Sequence, residues 1–250
     1  HRTVMKAPLL AAAEKSRLDP YLPYGLSLSQ NAGAIERVQG EVKRMLLGGR
    51  LHPGQKVPMD ELASSLKVSR TPVREALRLL EGEGLVQALP NRGFIVRRTT
   101  VEEIEKLYEA RLCIESYTIV TAFERRTSDF LNDVRILQDI YIRILKKSRN
   151  RRLGMVADKA FHLRISQQAC NPILVECQSK IFDTIIFTRV LEGFSLTRSD
   201  KAVAEHEAII AALNGTNAKK TREAVAANIM RGKDAIVAYL REQDLVATAM

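Results

Sequence analysis

Three groups of residues in this sequence have types and spacings suited to chemistry. Arg70, Thr71 and Arg74 follow Ser69 within one short run. On a helix, residues four apart share a face, so Arg70 and Arg74 point the same way, each able to fork onto guanine O6 and N7 or onto a phosphate. Thr71 adds a hydroxyl that reaches a phosphate or a base. Glu75 serves better to orient an arginine, since a carboxylate beside phosphates is repelled. The second group, Asn91-Arg92-Gly93 after Pro90, reads as a turn whose glycine permits close backbone approach to a minor groove. The third comprises Asp158 and His162, at i and i+4, with Glu205-His206-Glu207 further on. A carboxylate and an imidazole on one helical face suit a metal ion. They equally suit a structural Asp–His pair, and a histidine between packed helices is commonly a hydrogen-bonded core residue.

These residues need elements to hold them. Ile35, Val38, Val42, Met45 and Leu46 recur at three- and four-residue steps, giving a helix over 34–47 that Gly48-Gly49 ends. Two compact helical patterns follow, 59–66 and 70–82. Ser69 is placed to cap the second, and Pro72 sits in its first turn, where a missing N–H costs little. Val73, Ala76, Leu77 and Leu80 form its buried stripe. Residues 85–88 and 94–97 read as two strands joined by the Pro90–Gly93 turn. Helix, helix-turn-helix and hairpin in that order predict a winged helix over 31–98, whose second helix enters a major groove. Thr100 with Glu103 three residues on is a capping box. Six helical patterns then run over 101–125, 129–147, 153–169, 172–190, 200–213 and 217–243, an all-helical bundle filling 99–250. The fold class is mainly α. Residues 1–30 show no sustained period and are expected to form a flexible arm.

In the hairpin of the last two helices, turning near Gly215, Asn228 lies within about one turn of the level of His206 at 1.5 Å rise per residue. Asp158, His162, His206 and Asn228 are thus able to converge in the bundle interior. Arg111, on the first bundle helix, is spaced for an ion pair with Glu115 four residues on. Lys146, Lys147, Arg149, Arg151 and Arg152 cluster at an expected loop and read as a solvated turn.

Composition narrows the class of function. The 250 residues carry 39 Lys and Arg against 29 Asp and Glu, a net charge of +10. Residues 31–98 hold 12 basic against 7 acidic residues, whereas 99–250 hold 23 against 20. Charge thus gathers where the winged helix is expected, as a polyanion-binding module requires. No stretch is long and apolar enough for a membrane span, and no secretory pattern opens the chain. Cys113, Cys170 and Cys177 form no C-x-x-C pair. They fit a reducing cytoplasm and are expected to pack as small buried residues.

The runs Gly49-Arg50-Leu51-His52-Pro53-Gly54, Glu61-Leu62-Ala63, Ser69-Arg70-Thr71-Pro72-Val73-Arg74-Glu75-Ala76-Leu77 and Leu80-Glu81-Gly82-Glu83-Gly84-Leu85-Val86 resemble the winged helix-turn-helix of the GntR family of bacterial transcription regulators. The resemblance implies operator DNA contacts by Arg70, Thr71, Arg74 and Gly93. Asp60 stands where some relatives carry a basic contact residue. Val156 to Leu163, Asn171 to Leu174 and Glu205 to Ile209 are similar to the FCD ligand-binding domain of the FadR subgroup. That likeness implies a divalent metal ion, Zn or Ni, held by Asp158, His162 and His206, which helps to hold a carboxylate effector. Asn228 stands where a third histidine is expected, and a neutral amide is a poorer ligand for these ions. Relatives place an arginine facing the pocket at the position of Arg111, which implies a bidentate pair there with a small organic acid.

The expectation is a cytoplasmic, homodimeric transcription regulator, a repressor in the commoner behaviour of the family, not an enzyme. Its partners are double-stranded operator DNA and a small organic acid. Two competing classes remain at this stage: a metalloenzyme using the Asp/His site, and an effector-independent DNA-binding dimer.

Overall fold

The computed structural model describes residues 16–22, 33–147, 151–193 and 199–248. After a 3-10 turn at Asp19–Tyr21 come helices α1 (Ala34–Leu47), α2 (Met59–Leu66) and α3 (Arg70–Gly82), strands β1 (Val86–Leu89) and β2 (Gly93–Val96), then α4 (Val101–Glu124), α5 (Ser128–Lys147), α6 (Arg151–Gln167), α7 (Pro172–Leu191), α8 (Ser199–Leu213) and α9 (Ala218–Thr248). The order is the one the apolar periods predict, with ends shifted by a residue or two, more at the end of α9.

Packing groups the chain into two compact units. Among the described residues, one holds 33–111, 180–193 and 229–248; the other holds 16–22, 112–147, 151–179 and 199–228. Helices α4, α7 and α9 thus contribute residues to both units, whereas the sequence places its boundary between residues 98 and 99.

In the unit containing the winged helix, the core is formed by Val38, Val42 and Leu46 of α1, Leu62 of α2, Val73, Leu77 and Leu80 of α3, and Val86, Phe94 and Val96 of the hairpin. Phe187 of α7 belongs to the same cluster and is 2% exposed, with Val190 and Leu191 packed beside it. The strands are antiparallel, pairing Val86 with Val96 and Leu89 with Gly93. The segment before α2 joins their edge: Val57 N–H donates to Phe94 O at 2.8 Å, and Val96 N–H to Gln55 O at 2.8 Å. Lys43 is buried in α1, where its ammonium meets Glu83 at 2.7 Å. The capping box at α4 is formed in both directions, Thr100 N–H to Glu103 Oε2 at 3.0 Å and Glu103 N–H to Thr100 Oγ1 at 3.2 Å.

In the other unit, Leu137, Ile140, Tyr141 and Ile144 of α5 pack on Val156, Ala157 and Ala160 of α6. Leu18 joins that cluster at 2% exposure. Residues 16–22 are therefore anchored, not a free arm; one inserted leucine makes no period for a sequence reading to detect. The rest of the expected arm, 1–15 and 23–30, lies outside the described residues. The basic loop cluster is described only at Lys146 and Arg152 among its side chains. The cysteines depart from expectation: Cys113, Cys170 and Cys177 are all exposed, because each falls on the solvent side of a helix or just beyond its end. No helix among the described residues is long and apolar enough to cross a membrane.

Candidate nucleic-acid interface and metal centre

The turn between α2 and α3 is tight because Lys67 takes a left-handed conformation, φ 52° and ψ 50°. Ser69 occupies the N-cap of α3 with extended backbone, yet its side chain makes no capping hydrogen bond. A capping hydroxyl accepts from the N–H of the second or third helical residue; the third here is Pro72, which has none, so only the Thr71 N–H remains to it. Ser69 is exposed, its hydroxyl uncommitted to the cap. The buried stripe of α3 is the one expected, Val73, Ala76, Leu77 and Leu80, which leaves Arg70, Thr71 and Arg74 exposed.

An open groove of about 1330 Å³ runs between α3 and the hairpin. Arg70, Thr71 and Arg74 line it from the helix, and Asn91, Arg92 and Gly93 from the hairpin. Asn91 and Gly93 have positive φ, 58° and 86°, the left-handed geometry that a tight tip demands and that glycine accepts without strain. The structure thus brings the first two groups of sequence-derived residues onto one concave surface, with Ser69 at the adjoining helix start. Two features were not read from sequence. Asp60 Oδ1 lies 2.8 Å from Arg70 Nε. Glu81 ties α3 to the hairpin, accepting from Ala88 N–H and from Arg78 Nη1, each at 2.7 Å; the Ala88 amide first, then Arg78, hold its carboxyl below the ordinary value.

In the other unit, Asp158, His162 and His206 converge, their ligand atoms all within 4.8 Å of one another. Asp158 and His162 come from successive turns of α6, and His206 from α8. Both imidazoles are buried, at 1% and 0% exposure. Phe161 stacks on His206 at 4.0 Å between centroids and 9° between planes, fixing the ring. Gln138 Nε2 donates to Val203 O at 3.3 Å and Glu207 Oε1 at 3.4 Å, which turns its Oε1 toward His206 Nδ1 at 2.9 Å. An amide oxygen only accepts, so Nδ1 carries the hydrogen and the lone pair sits on Nε2. That Nε2 faces Asp158 Oδ1 at 3.2 Å. Burial, above all, pushes His206 below the ordinary imidazole value, partly opposed by Asp158. In the neutral ring, Nε2 of the buried His206 and Oδ1 of the partly exposed Asp158 are two acceptors facing each other, an arrangement that a cation between them relieves.

His162 Nδ1 lies 2.6 Å from Glu115 Oε2, and Glu115 is itself buried. A hydrogen donated there puts the basic lone pair of His162 on Nε2, the outer-shell pattern that orients metal-ligating histidines. Donors around one Zn²⁺ at about 2.0–2.1 Å sit roughly 3–4 Å apart, so the set closes on an ion with a small inward shift. The residues present fit a divalent cation with one carboxylate and two imidazoles. Asn228 is 8% exposed and donates its Nδ2 to Glu205 Oε2 at 2.9 Å, next in sequence to His206 as the hairpin level predicts. Arg111 is buried in the unit of the winged helix, its guanidinium 4.0 Å over the Phe182 ring and 5.4 Å from that of Tyr108. Glu115 and Gln138 carried no sequence signal, since nothing in a helical pattern says which buried polar residue meets which histidine.

Residues 34–96 match the family model described as bacterial regulatory proteins, gntR family. Residues 106–231 match the FCD domain. The chain belongs to the GntR family of transcription regulators, in the subgroup carrying an FCD domain. It is 25% identical over 189 residues to an uncharacterized HTH-type transcriptional regulator, YdhC, of Bacillus subtilis, covering 75% of this chain and 84% of that protein. It is 28% identical over 201 residues to the Nta operon transcriptional regulator of Aminobacter aminovorans, covering 79% of this chain and 91% of the relative. A putative GntR transcriptional regulator from Rhodococcus sp. RHA1 shares the fold, with a TM-score of 0.69 at 23% identity, covering 82% of this chain and 97% of that structure. These relatives are regulators, not enzymes, so the Asp158, His162 and His206 cluster is not read as a catalytic centre.

Proposed function

We propose that this GntR-family regulator binds a two-fold operator as a cytoplasmic homodimer, and that a small organic acid in its FCD domain controls that binding. The observation that carries the DNA side is the groove shared by α3 and the hairpin. Arg70 and Arg74 read guanine edges or phosphates in the major groove, Thr71 and Ser69 hydrogen-bond phosphate oxygens, and Arg92 with Gly93 enters the adjacent minor groove. A dimer seated across promoter DNA obstructs other proteins there, so the reading is repression that the effector releases.

The FCD domain supports the effector half of this reading through its buried polar cluster. A bundle that served only to dimerise would gain by filling that space with apolar side chains. Asp158, His162 and His206 would hold a divalent ion, Zn or Ni, with Glu115 and Gln138 fixing the two rings. When bound, the ion supplies open coordination positions for a carboxylate. Asn228 is assigned to hydrogen-bond the effector. Arg111, in the other unit, keeps the guanidinium chemistry for pairing a carboxylate. An effector shifts DNA binding only through unequal affinity for the arrangements that bind the operator well and badly.

The test is fluorescence anisotropy with duplexes from around the protein's own gene at low ionic strength, with and without a panel of organic acids. Sequence-preferring binding that one acid weakens is expected. Indifference to every such duplex refutes the reading.

A further inference from the structure

Arg70 and Asp60 are the one acid–base pair in the groove that joins a residue of α2 to a residue of α3, among the described residues. Both side chains are about three-quarters exposed, at 77% and 74%, so the pair contributes little to stability. What it does is directional. Asp60 takes the Nε of Arg70, and Arg70 has no other partner among the described residues. The edge left to the ligand is Nη1 with Nη2, two parallel donors whose fork matches O6 and N7 of guanine. The same carboxylate places a negative charge against the Nε edge, where a phosphate oxygen would otherwise bind and is now repelled. Arg74 on the same groove wall has no such companion on α2.

We propose that Asp60 is a specificity-determining residue of the reading head: by holding Nε of Arg70 it commits that guanidinium to a guanine in the major groove instead of to a phosphate. This rests on the DNA-binding reading above and deepens it, since it divides the two arginines of α3 into a base reader and a residue without that constraint. Asp60 acts through Arg70 and is a positioning residue.

The experiment begins with selection of preferred duplexes by the full-length protein. Affinities are then measured for the selected site and for every single base-pair substitution in one half-site. Wild type, Asp60→Ala, Arg70→Ala and the double variant are compared at several salt concentrations. In Asp60→Ala, discrimination at one G·C pair is expected to fall about tenfold, within the range of one bidentate contact. Affinity for unrelated DNA rises, and the slope of log K against log salt steepens by about one, as Arg70 moves to a phosphate. Arg70→Ala loses preference at the same pair, and adding Asp60→Ala changes nothing further there. A merely structural Asp60 would alter affinity uniformly across sequences. Unchanged discrimination at every position in Asp60→Ala overturns the proposal, as does a loss that persists in the Arg70→Ala background. Those results leave DNA binding standing, whereas absence of sequence preference in the wild type overturns both readings. Circular dichroism and Tm, expected to be unaltered at these exposed positions, exclude misfolding as the cause.

Discussion

Phe187 lies ninety-one positions after Val96, on the far side of three helices, yet it is buried in the core of the winged helix. Replacing it by alanine removes a ring that is 2% exposed from a cluster closed by Leu46, Leu77, Leu80 and Val86. Burying a phenylalanine and then losing it costs about 3–5 kcal/mol, through lost transfer energy and the cavity left behind. For a chain of this size each kcal/mol lowers Tm by about 2–4 °C, so Phe187→Ala should lose roughly 6–20 °C, with Phe187→Leu much closer to wild type. Urea unfolding gives the free energy, and hydrogen exchange locates it. Amides of α1 and α3 should lose protection along with those at the end of α7, because all share one core. A loss under about 1 kcal/mol, or protection unchanged in α1 and α3, would refute the placement of α7 in that core.

Arg74→Ala should weaken operator discrimination by the roughly 1–3 kcal/mol of a bidentate base contact without changing Tm; competition anisotropy against unrelated DNA checks it. His206→Ala should abolish Zn or Ni binding in calorimetry, and Asn228→His should raise it; no heat change in either variant would remove the cluster from metal binding. Glu115→Gln should lower metal affinity about 10–100-fold by slackening His162, while leaving DNA affinity for the selected operator intact. Burial lowers the His206 pKa, so the unfolded chain takes up the proton more readily. The stabilisation is complete above the ordinary imidazole value of 6.5 and is lost as pH falls below it. Metal-free protein should therefore unfold more easily as pH drops from 7 to 5, and His206→Gln should flatten that part of the curve.

The helices and their order were legible in the sequence because each carries a continuous apolar stripe or a local signal. The box joining Thr100 to Glu103 is an example, complete within four residues. The buried stripe of α3, Val73 to Leu80, likewise needs only a 3.6-residue period. The convergence of Asp158, His162 and His206 was half legible: i and i+4 on α6 follows from helix geometry, while the approach of α8 depends on packing. Most of the meetings between distant side chains were hidden. Phe187 looks like any apolar residue of α7, Glu115 like a partner for Arg111, and Glu81 like one more acid near the end of a helix. Ser69 shows a local rule that did not hold, its side chain making no capping bond although it stands at the N-cap.

The three outward-facing thiols give this protein ready-made handles. Cys113 sits on α4, Cys170 just past α6 and Cys177 on α7, so a maleimide dye or spin label reaches each without dismantling a core. A spectroscopist can thereby follow how these helices shift when an acid or an ion arrives, having first silenced two of the three by serine. The same handles demand a reductant during purification, because chains concentrated in air can be stitched sulfur to sulfur into oligomers that no operator ever selected.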